Sequence, residues 1–407
     1  MSGKVIRKEQ MKIAMLGHKR IPSREGGIEV VVEELSTRMA AKGHSVTCYN
    51  RRGHNVAGAE FDQKSCREFH GVRLKDVFTI DGRGLAAMTA SVSASLAAAF
   101  GKYDVVHIHA EGPAFMCWLP KLLGKRVIVT VHGLDHQRAK WGKLASAYIM
   151  MGERNAVRFA DEIIVLSLGV QQYFSRTYGR KTRFICNGVN EPKLRPADLI
   201  SKKWGLEKDG YILYLGRIVP EKGEKYLIEA FRQVRTDKKL VIAGGSSDTQ
   251  GFMDELKEMA RGDARIVFTG FVQGRAKHEL YSNAYVYTLP SDLEGMPLSL
   301  LEGMSYGNCC LTSDIPECAE VVEDHAVLFR KSSVEDLREK LQMLCDQPET
   351  VDRYKKEAGA FVLRKYGWDD VVERTLELYG GCGEAEIVGA GDAVREIGSE
   401  RGGGKVE

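Results

Sequence analysis

No apolar run in this 407-residue chain is long enough to cross a bilayer. The most apolar segment, Leu85–Phe100, is rich in Ala and Ser and falls short of the roughly 20 residues a spanning helix needs, so it should pack as a helix, with a membrane-surface role as the second option. No secretory signal pattern opens the sequence. The nine cysteines are odd in number, scattered and without a C-x-x-C pair, which argues against a disulfide framework or a zinc site and suits a reducing compartment. We expect a cytoplasmic location, at most at the inner face of the membrane. The first apolar strand ends Gly17-His18-Lys19-Arg20 and so lacks the G-x-G-x-x-G spacing of a dinucleotide-binding turn, which speaks against a nicotinamide-dependent oxidoreductase. No cofactor and no nucleic-acid partner are expected.

What is present is a chain of ordinary apolar content, 43% hydrophobic, long enough for two or three domains. The net charge of +4 hides an asymmetry: residues 1–190 carry 29 Lys and Arg against 16 Asp and Glu, and residues 191–407 carry 30 against 39. A first half at +13 facing a second at −9 points to an anionic acceptor or an anionic membrane surface, or to two domains that attract each other across a cleft.

Apolar runs alternate with helical periodicity along both halves. Strands are expected at Lys12–Gly17, Ser45–Asn50, Val72–Val77, Tyr103–His109, Arg126–His132 and Glu162–Ser167, then at 211–215, 239–243, 265–269, 284–289 and 309–313. Helices Ile28–Lys42 and Tyr148–Ala160 fall between them, which implies right-handed crossovers and a parallel sheet in each half. Pro192 and Pro196 mark residues 191–203 as the connection. The expected limits are a frayed 1–11, a first domain over 12–190, a second over 191–367 and a disordered glycine-rich tail over 380–407.

Three places carry chemistry. In Ser291-Asp292-Leu293-Glu294-Gly295-Met296-Pro297-Leu298, a strand closed by Pro290 leads to a helix expected to begin at Pro297, with Glu294 in the loop and Glu302 on the helix. Free amides at that helix start would bind an anion beside two carboxylates able to hold neighbouring hydroxyls. A solvated helix with two surface acids is the plainer alternative. Upstream, Gly216-Arg217-Ile218-Val219-Pro220-Glu221-Lys222-Gly223 ends a buried strand and brings Arg217 and Lys222 to a helix start over Lys225–Arg235. Near the N-terminus, Gly26-Gly27 lets backbone approach a ligand before a helix, with Lys19, Arg20 and Arg24 beside it. His107 and His109 alternate onto one strand face; with no third ligand nearby in sequence, they read as structural or pocket histidines rather than a metal site. Gly244-Gly245 and Thr269-Gly270-Phe271 end two strands where a base could sit, or are ordinary turns.

The pairing of "GRIVPEKG" with "EGMPLSLLEGMSYG" resembles the nucleotide-sugar site of the retaining family-four glycosyltransferases, and in particular bacterial polysaccharide and rhamnosyl-type members. The resemblance spans about residues 12–379 and includes the Gly26-Gly27 loop, the "VHG" ending at His132 and the "NGV" segment at Asn187. It implies an α/β chain of the GT-B fold, two Rossmann-like parallel-sheet domains facing across a cleft, with helix Trp368–Tyr379 crossing back to the first. It also implies that Arg217 and Lys222 clamp the donor diphosphate, Glu302 holds the ribose hydroxyls, Glu294 and His132 touch the donor sugar, and Gly27, Gly295, Met296, Pro297 and Leu298 line the donor site. Lys19, Arg20, Arg24 and Gly26 would lie on the acceptor side. The implied reaction is retaining, metal-independent hexosyl transfer from a nucleoside diphosphate sugar to an acceptor hydroxyl in polysaccharide or glycolipid synthesis; the charge asymmetry adds the expectation of an anionic or lipid-linked acceptor and of peripheral contact with an anionic membrane. Many members have a longer glycine-containing run where this chain has Gly295-Met296-Pro297, which leaves the sugar open. A sugar-nucleotide epimerase on the same fold and a catalytically silent nucleotide-binding protein are the rivals.

Overall fold

The computed structural model describes residues 10–23, 26–53, 66–80, 82, 84–137, 142–245 and 250–381. Arg24, residues 1–9 of the segment expected to fray, residues 54–65 and the tail from residue 382 lie outside the described residues.

Strands β1 (Lys12–Leu16), β2 (Ser45–Arg51), β3 (Glu68–Phe69), β4 (Val72–Val77), β5 (Val105–His109), β6 (Arg126–Val131), β7 (Glu162–Val165) and β8 (Arg183–Phe184) form one sheet in the order β3-β4-β2-β1-β5-β6-β7-β8. Strands β9 (Tyr211–Leu215), β10 (Lys239–Ala243), β11 (Ile266–Gly270), β12 (Val286–Leu289), β13 (Cys309–Ser313) and β14 (Val327–Phe329) form a second, in the order β11-β10-β9-β12-β13-β14. Every pair is parallel except β3 with β4, a two-residue antiparallel edge that departs from the all-parallel expectation. Runs such as Tyr-Ile-Leu-Tyr-Leu at β9 are apolar on both faces because helices cover both sides of a parallel sheet.

In each sheet the strand order reverses once beside the first strand, between β1 and β5 and between β9 and β12. Open α/β sheets bind ligands at the carboxyl ends of the strands flanking such a reversal. Gly17 and the loop after His109 therefore mark one site, and Gly216-Arg217 with Ser291–Glu294 the other.

Several boundaries differ from expectation for local reasons. Tyr103 and Asp104 precede β5, because the Asp104 carboxylate accepts the Lys12 N–H at 2.7 Å instead of continuing the strand. The helix expected from Tyr148 starts at Lys143, after Gly142, and the one expected over Lys225–Arg235 is the shorter Glu224–Phe231. Pro297 stands just outside its helix, at ψ 94°, and Leu298–Ser305 is the helical span. Helix Trp368–Tyr379 packs Trp368, Val372 and Leu376 with Ile13, Val32 and Leu35 of the first sheet's core. Arg38 pairs with Asp369 at 2.9 Å, and Arg126 donates to the Leu378 carbonyl at 2.7 Å.

Candidate functional site

Glycine geometry sets the two loops of the second sheet. A Cβ on Gly223, at φ +75°, would stand 2.0 Å from the Pro290 carbonyl oxygen, so only glycine lets the Arg217–Lys222 turn lie against the end of β12. The turn is held from below: the Tyr214 hydroxyl lies 2.8 Å from both the Arg217 carbonyl and Glu224 Oε1. Burial pushes the Glu224 carboxyl up to about 8. Lys222 pairs with Glu294, to which Ser291 also donates at 2.7 Å, and these Lys and Glu side chains are 13% and 8% exposed. An ammonium has three donors, so Lys222 can hold Glu294 and still reach an anion. Arg217 is half-buried and pairs with no carboxylate among the described residues. The two cations expected from the sequence thus lie on one turn, Lys222 paired with Glu294 and Arg217 with no carboxylate among the described residues.

Glu302 lies on the helix as expected, and Lys277 donates to its Oε1 at 2.7 Å, with the Tyr281 hydroxyl 3.5 Å from Oε2. Sequence reading missed Lys277: it sits on the preceding helix, Gly274–Asn283, and nothing in its local pattern marks it.

Helical geometry begins only at Leu298, so the amides of Gly295 and Met296 precede the helix rather than belong to its first turn. Pro297 offers a carbonyl that accepts the Leu300 and Leu301 N–H groups, and the first-turn amides of Leu298 and Ser299 have no acceptor within the helix. Gly295 and Met296 also lie against residues of the first half. A Cβ on Gly295 would lie 1.7 Å from the His132 carbonyl oxygen, and one on Gly133 would lie 3.2 Å from Gly295 Cα. Met296 is buried, with Asn187 donating its N–H to the sulfur at 3.0 Å. On the opposite wall Leu298 stands 3.5 Å from where a Gly27 Cβ would be.

His132 therefore sits at the meeting point of the two sheets, half-buried, its Nε2 3.0 Å from His109 Nδ1. His109 is fully buried, and burial together with neighbouring histidines holds it well below its ordinary range, so it meets His132 as a neutral ring. His107 is fixed between the Tyr379 hydroxyl at 2.5 Å and Thr130 Oγ1 at 2.7 Å and is pushed down to about 3 by burial. The two strand histidines are thus a structural ring and a second-layer support for His132. Gly17, at φ +102°, brings β1 against β5: its Cβ would fall 2.1 Å from the His109 carbonyl oxygen.

Of the acceptor-side cations, Lys19 donates its N–H to Glu29 at 2.9 Å, and Arg20 donates to the Gly53 carbonyl. Gly26 caps the helix Gly27–Ala41 without a side-chain bond. A recess beside them is lined by His18, Lys19, Arg51, Ala87, Ser91 and Ala94.

Comparison with known proteins gives this arrangement a family. Residues 25–192 match the description "Glycosyltransferase Family 4" and residues 197–360 match "Glycosyl transferases group 1". The chain belongs to the family-four glycosyltransferases. It is 24% identical to an uncharacterized glycosyltransferase of Methanocaldococcus jannaschii, over 91% of this chain and 98% of that one. It is 26% identical to the alpha-maltose-1-phosphate synthase of Mycolicibacterium smegmatis, over 68% and 78%. The solved structure of Anabaena HepE in complex with UDP-glucose superposes with a TM-score of 0.75 at 16% identity, covering 91% and 100%, which supports the GT-B fold of this glycosyltransferase. Nothing in the comparisons favours the epimerase reading.

Proposed function

We propose that this family-four glycosyltransferase transfers a hexosyl group from a nucleoside diphosphate sugar to an acceptor hydroxyl with retention, without a catalytic metal. The observation that carries this reading is the second sheet's reversal point, where the turn bearing Arg217 and Lys222 lies against the end of β12 and Lys222 pairs with Glu294, four residues ahead of the helix start at Leu298. A relative in fold that holds UDP-glucose supports a donor of the same class. We take residues 12–190 with 368–379 as the acceptor-side domain and 191–367 as the donor domain.

In this reading the acceptor oxygen attacks the anomeric carbon from the face the diphosphate leaves. The bond from that carbon to the phosphate oxygen breaks, and the acceptor proton passes to the departing diphosphate. No protein nucleophile is needed. Arg217, Lys222 and the helix dipole stabilise the growing phosphate charge, the work a metal does elsewhere. Glu302 accepts from the ribose hydroxyls while Lys277 holds its other side, and Glu294 and His132 contact the sugar. Burial of the Lys222–Glu294 pair keeps Glu294 aligned before the donor arrives.

The acceptor is anionic or lipid-linked. Supporting this are the basic first half, Lys19 and Arg51 lining the recess, and the exposed apolar side chains Phe78, Ile80, Leu85 and Met88 of the same half, which are 62%, 46%, 48% and 37% exposed. No described helix is long and apolar enough to cross a membrane. A thermal-shift panel of nucleoside diphosphate sugars against wild type and Lys222→Ala tests the donor reading: a midpoint rise with one sugar nucleotide that vanishes in the variant is expected, and equal rises in both proteins would refute it.

A further inference from the structure

Behind the loop that carries His132, three side chains converge whose roles the transfer reaction leaves unexplained. Glu111 follows β5, His136 follows β6 in the short turn Asp135–Gln137, and Glu153 lies on the helix Lys143–Phe159. Both carboxylates are fully buried. Each has one oxygen taken by the protein and one left over. Glu111 Oε2 accepts the Asp135 N–H at 2.8 Å, while Oε1 has no hydrogen-bond partner. Glu153 Oε1 accepts the hydroxyls of Tyr173 and Tyr178 at 2.8 and 2.5 Å, while Oε2 has none. His136 Nδ1 is likewise buried without a hydrogen bond, 3.4 Å from Glu153 Oε2. One ligand atom from each of the three residues lies within 4.8 Å of the other two.

Two buried carboxylates facing each other are costly without a cation, and among the described residues no Lys or Arg pairs with either. We propose that Glu111, His136 and Glu153 bind a divalent first-row cation, zinc by preference, that clips the loop after β6 to the end of β5 and to the helix Lys143–Phe159. Two carboxylate oxygens and one imidazole nitrogen suit Zn2+ better than Mg2+ or Ca2+, which favour all-oxygen shells. Tyr173, Tyr178 and the Asp135 N–H occupy the remaining oxygens, the outer hydrogen bonds that orient metal-bound carboxylates. The clipped loop begins at His132 and Gly133, which touch Gly295, so the ion would set the acceptor-side wall of the cleft without entering the reaction.

The test is metal uptake by the full chain. Metal-free protein, dialysed against Zn2+ and then against buffer, should retain one equivalent by mass spectrometry, its unfolding midpoint should rise in the presence of Zn2+, and Co2+ should give visible d–d absorption. His136→Ala should abolish the absorption, and Tyr178→Phe, which spares the three ligands, should weaken Zn2+ binding about 10–100-fold. His325→Ala, in the exposed Glu323-Asp324-His325 group, should leave uptake unchanged. Absence of uptake and midpoint shift in the wild-type protein would overturn the proposal and leave a proton shared between Glu111 and Glu153. Uptake undiminished by His136→Ala and Tyr178→Phe would overturn it as well, by placing the ion elsewhere.

Discussion

Replacing Lys222 by alanine removes the partner of a buried carboxylate and, in the proposed reaction, a cation for the leaving diphosphate. With side chains 13% and 8% exposed, the pair is shielded enough for its loss to matter to folding. Breaking a buried pair costs about 3–5 kcal/mol, and the lower end applies here because Ser291 still donates to Glu294. For a domain of this size, ~3 kcal/mol lowers the unfolding midpoint by roughly 6–12 °C. Turnover should fall by about two to three orders of magnitude, the usual cost of losing one group that stabilises charge in the transition state. A mutant cycle with Glu294→Gln separates the effects. The double variant should regain most of the lost midpoint, because no buried charge is left unpaired. It should still turn over about two to three orders of magnitude more slowly than Glu294→Gln alone. Initial rates with saturating donor and differential scanning calorimetry on the four proteins decide it. If Lys222→Ala costs no turnover in the Glu294→Gln background, Lys222 is only a counter-ion and the diphosphate role is wrong.

Glu302→Gln should weaken binding of the free nucleoside diphosphate by about 1.5–3 kcal/mol, measured by calorimetric titration, and equal affinity in both proteins would return Glu302 to a surface role paired with Lys277. At low salt the protein should float with anionic vesicles and not with neutral ones, each Lys or Arg near the surface contributing about 1 kcal/mol; absence of that preference would remove the membrane reading and leave the transferase intact. His107, pushed down to about 3 in the folded chain against an ordinary value of 6.5, binds a proton more readily when unfolded, so it costs stability as pH falls below 6.5 and nothing above it. Between pH 6.5 and 5 that loss is about 2 kcal/mol, and His107→Gln should flatten denaturant-derived stability over this window by that amount. Gly295→Ala should force the His132 carbonyl away, visible as an increased radius of gyration in small-angle scattering.

How far the sequence spoke depended on the range of the interaction. Strands such as Tyr211–Leu215 and Cys309–Ser313 were readable because both faces are buried and the apolar run is unbroken. Arg217, Lys222, Glu294 and Glu302 are singled out by motif spacing alone. Their partners are not: Lys277 reaches Glu302 from another helix, and Lys222 meets Glu294 across the sheet reversal. Pro297 misled because proline suits both the first helical position and the residue outside it, and only the backbone angle distinguishes them. Glu111, His136 and Glu153 lie far apart in the chain with no motif between them, so their meeting is a product of β5, β6 and one helix lying side by side.

The chain passes between its two halves twice, once after Asn187 and once before Trp368, and the passages run side by side: the Val189 N–H donates to the Tyr366 carbonyl at 2.8 Å, and Val189 bridges Gly367. Such a connection behaves as a door hung on two adjacent pins. It permits swinging about one line and resists twisting or sliding, so the Gly133–Gly295 edge can part and return to the same register. It also means that a protease cutting anywhere in residues 191–203 would leave the halves joined, because the second pin, anchored by Trp368–Tyr379 in the first core, would still hold.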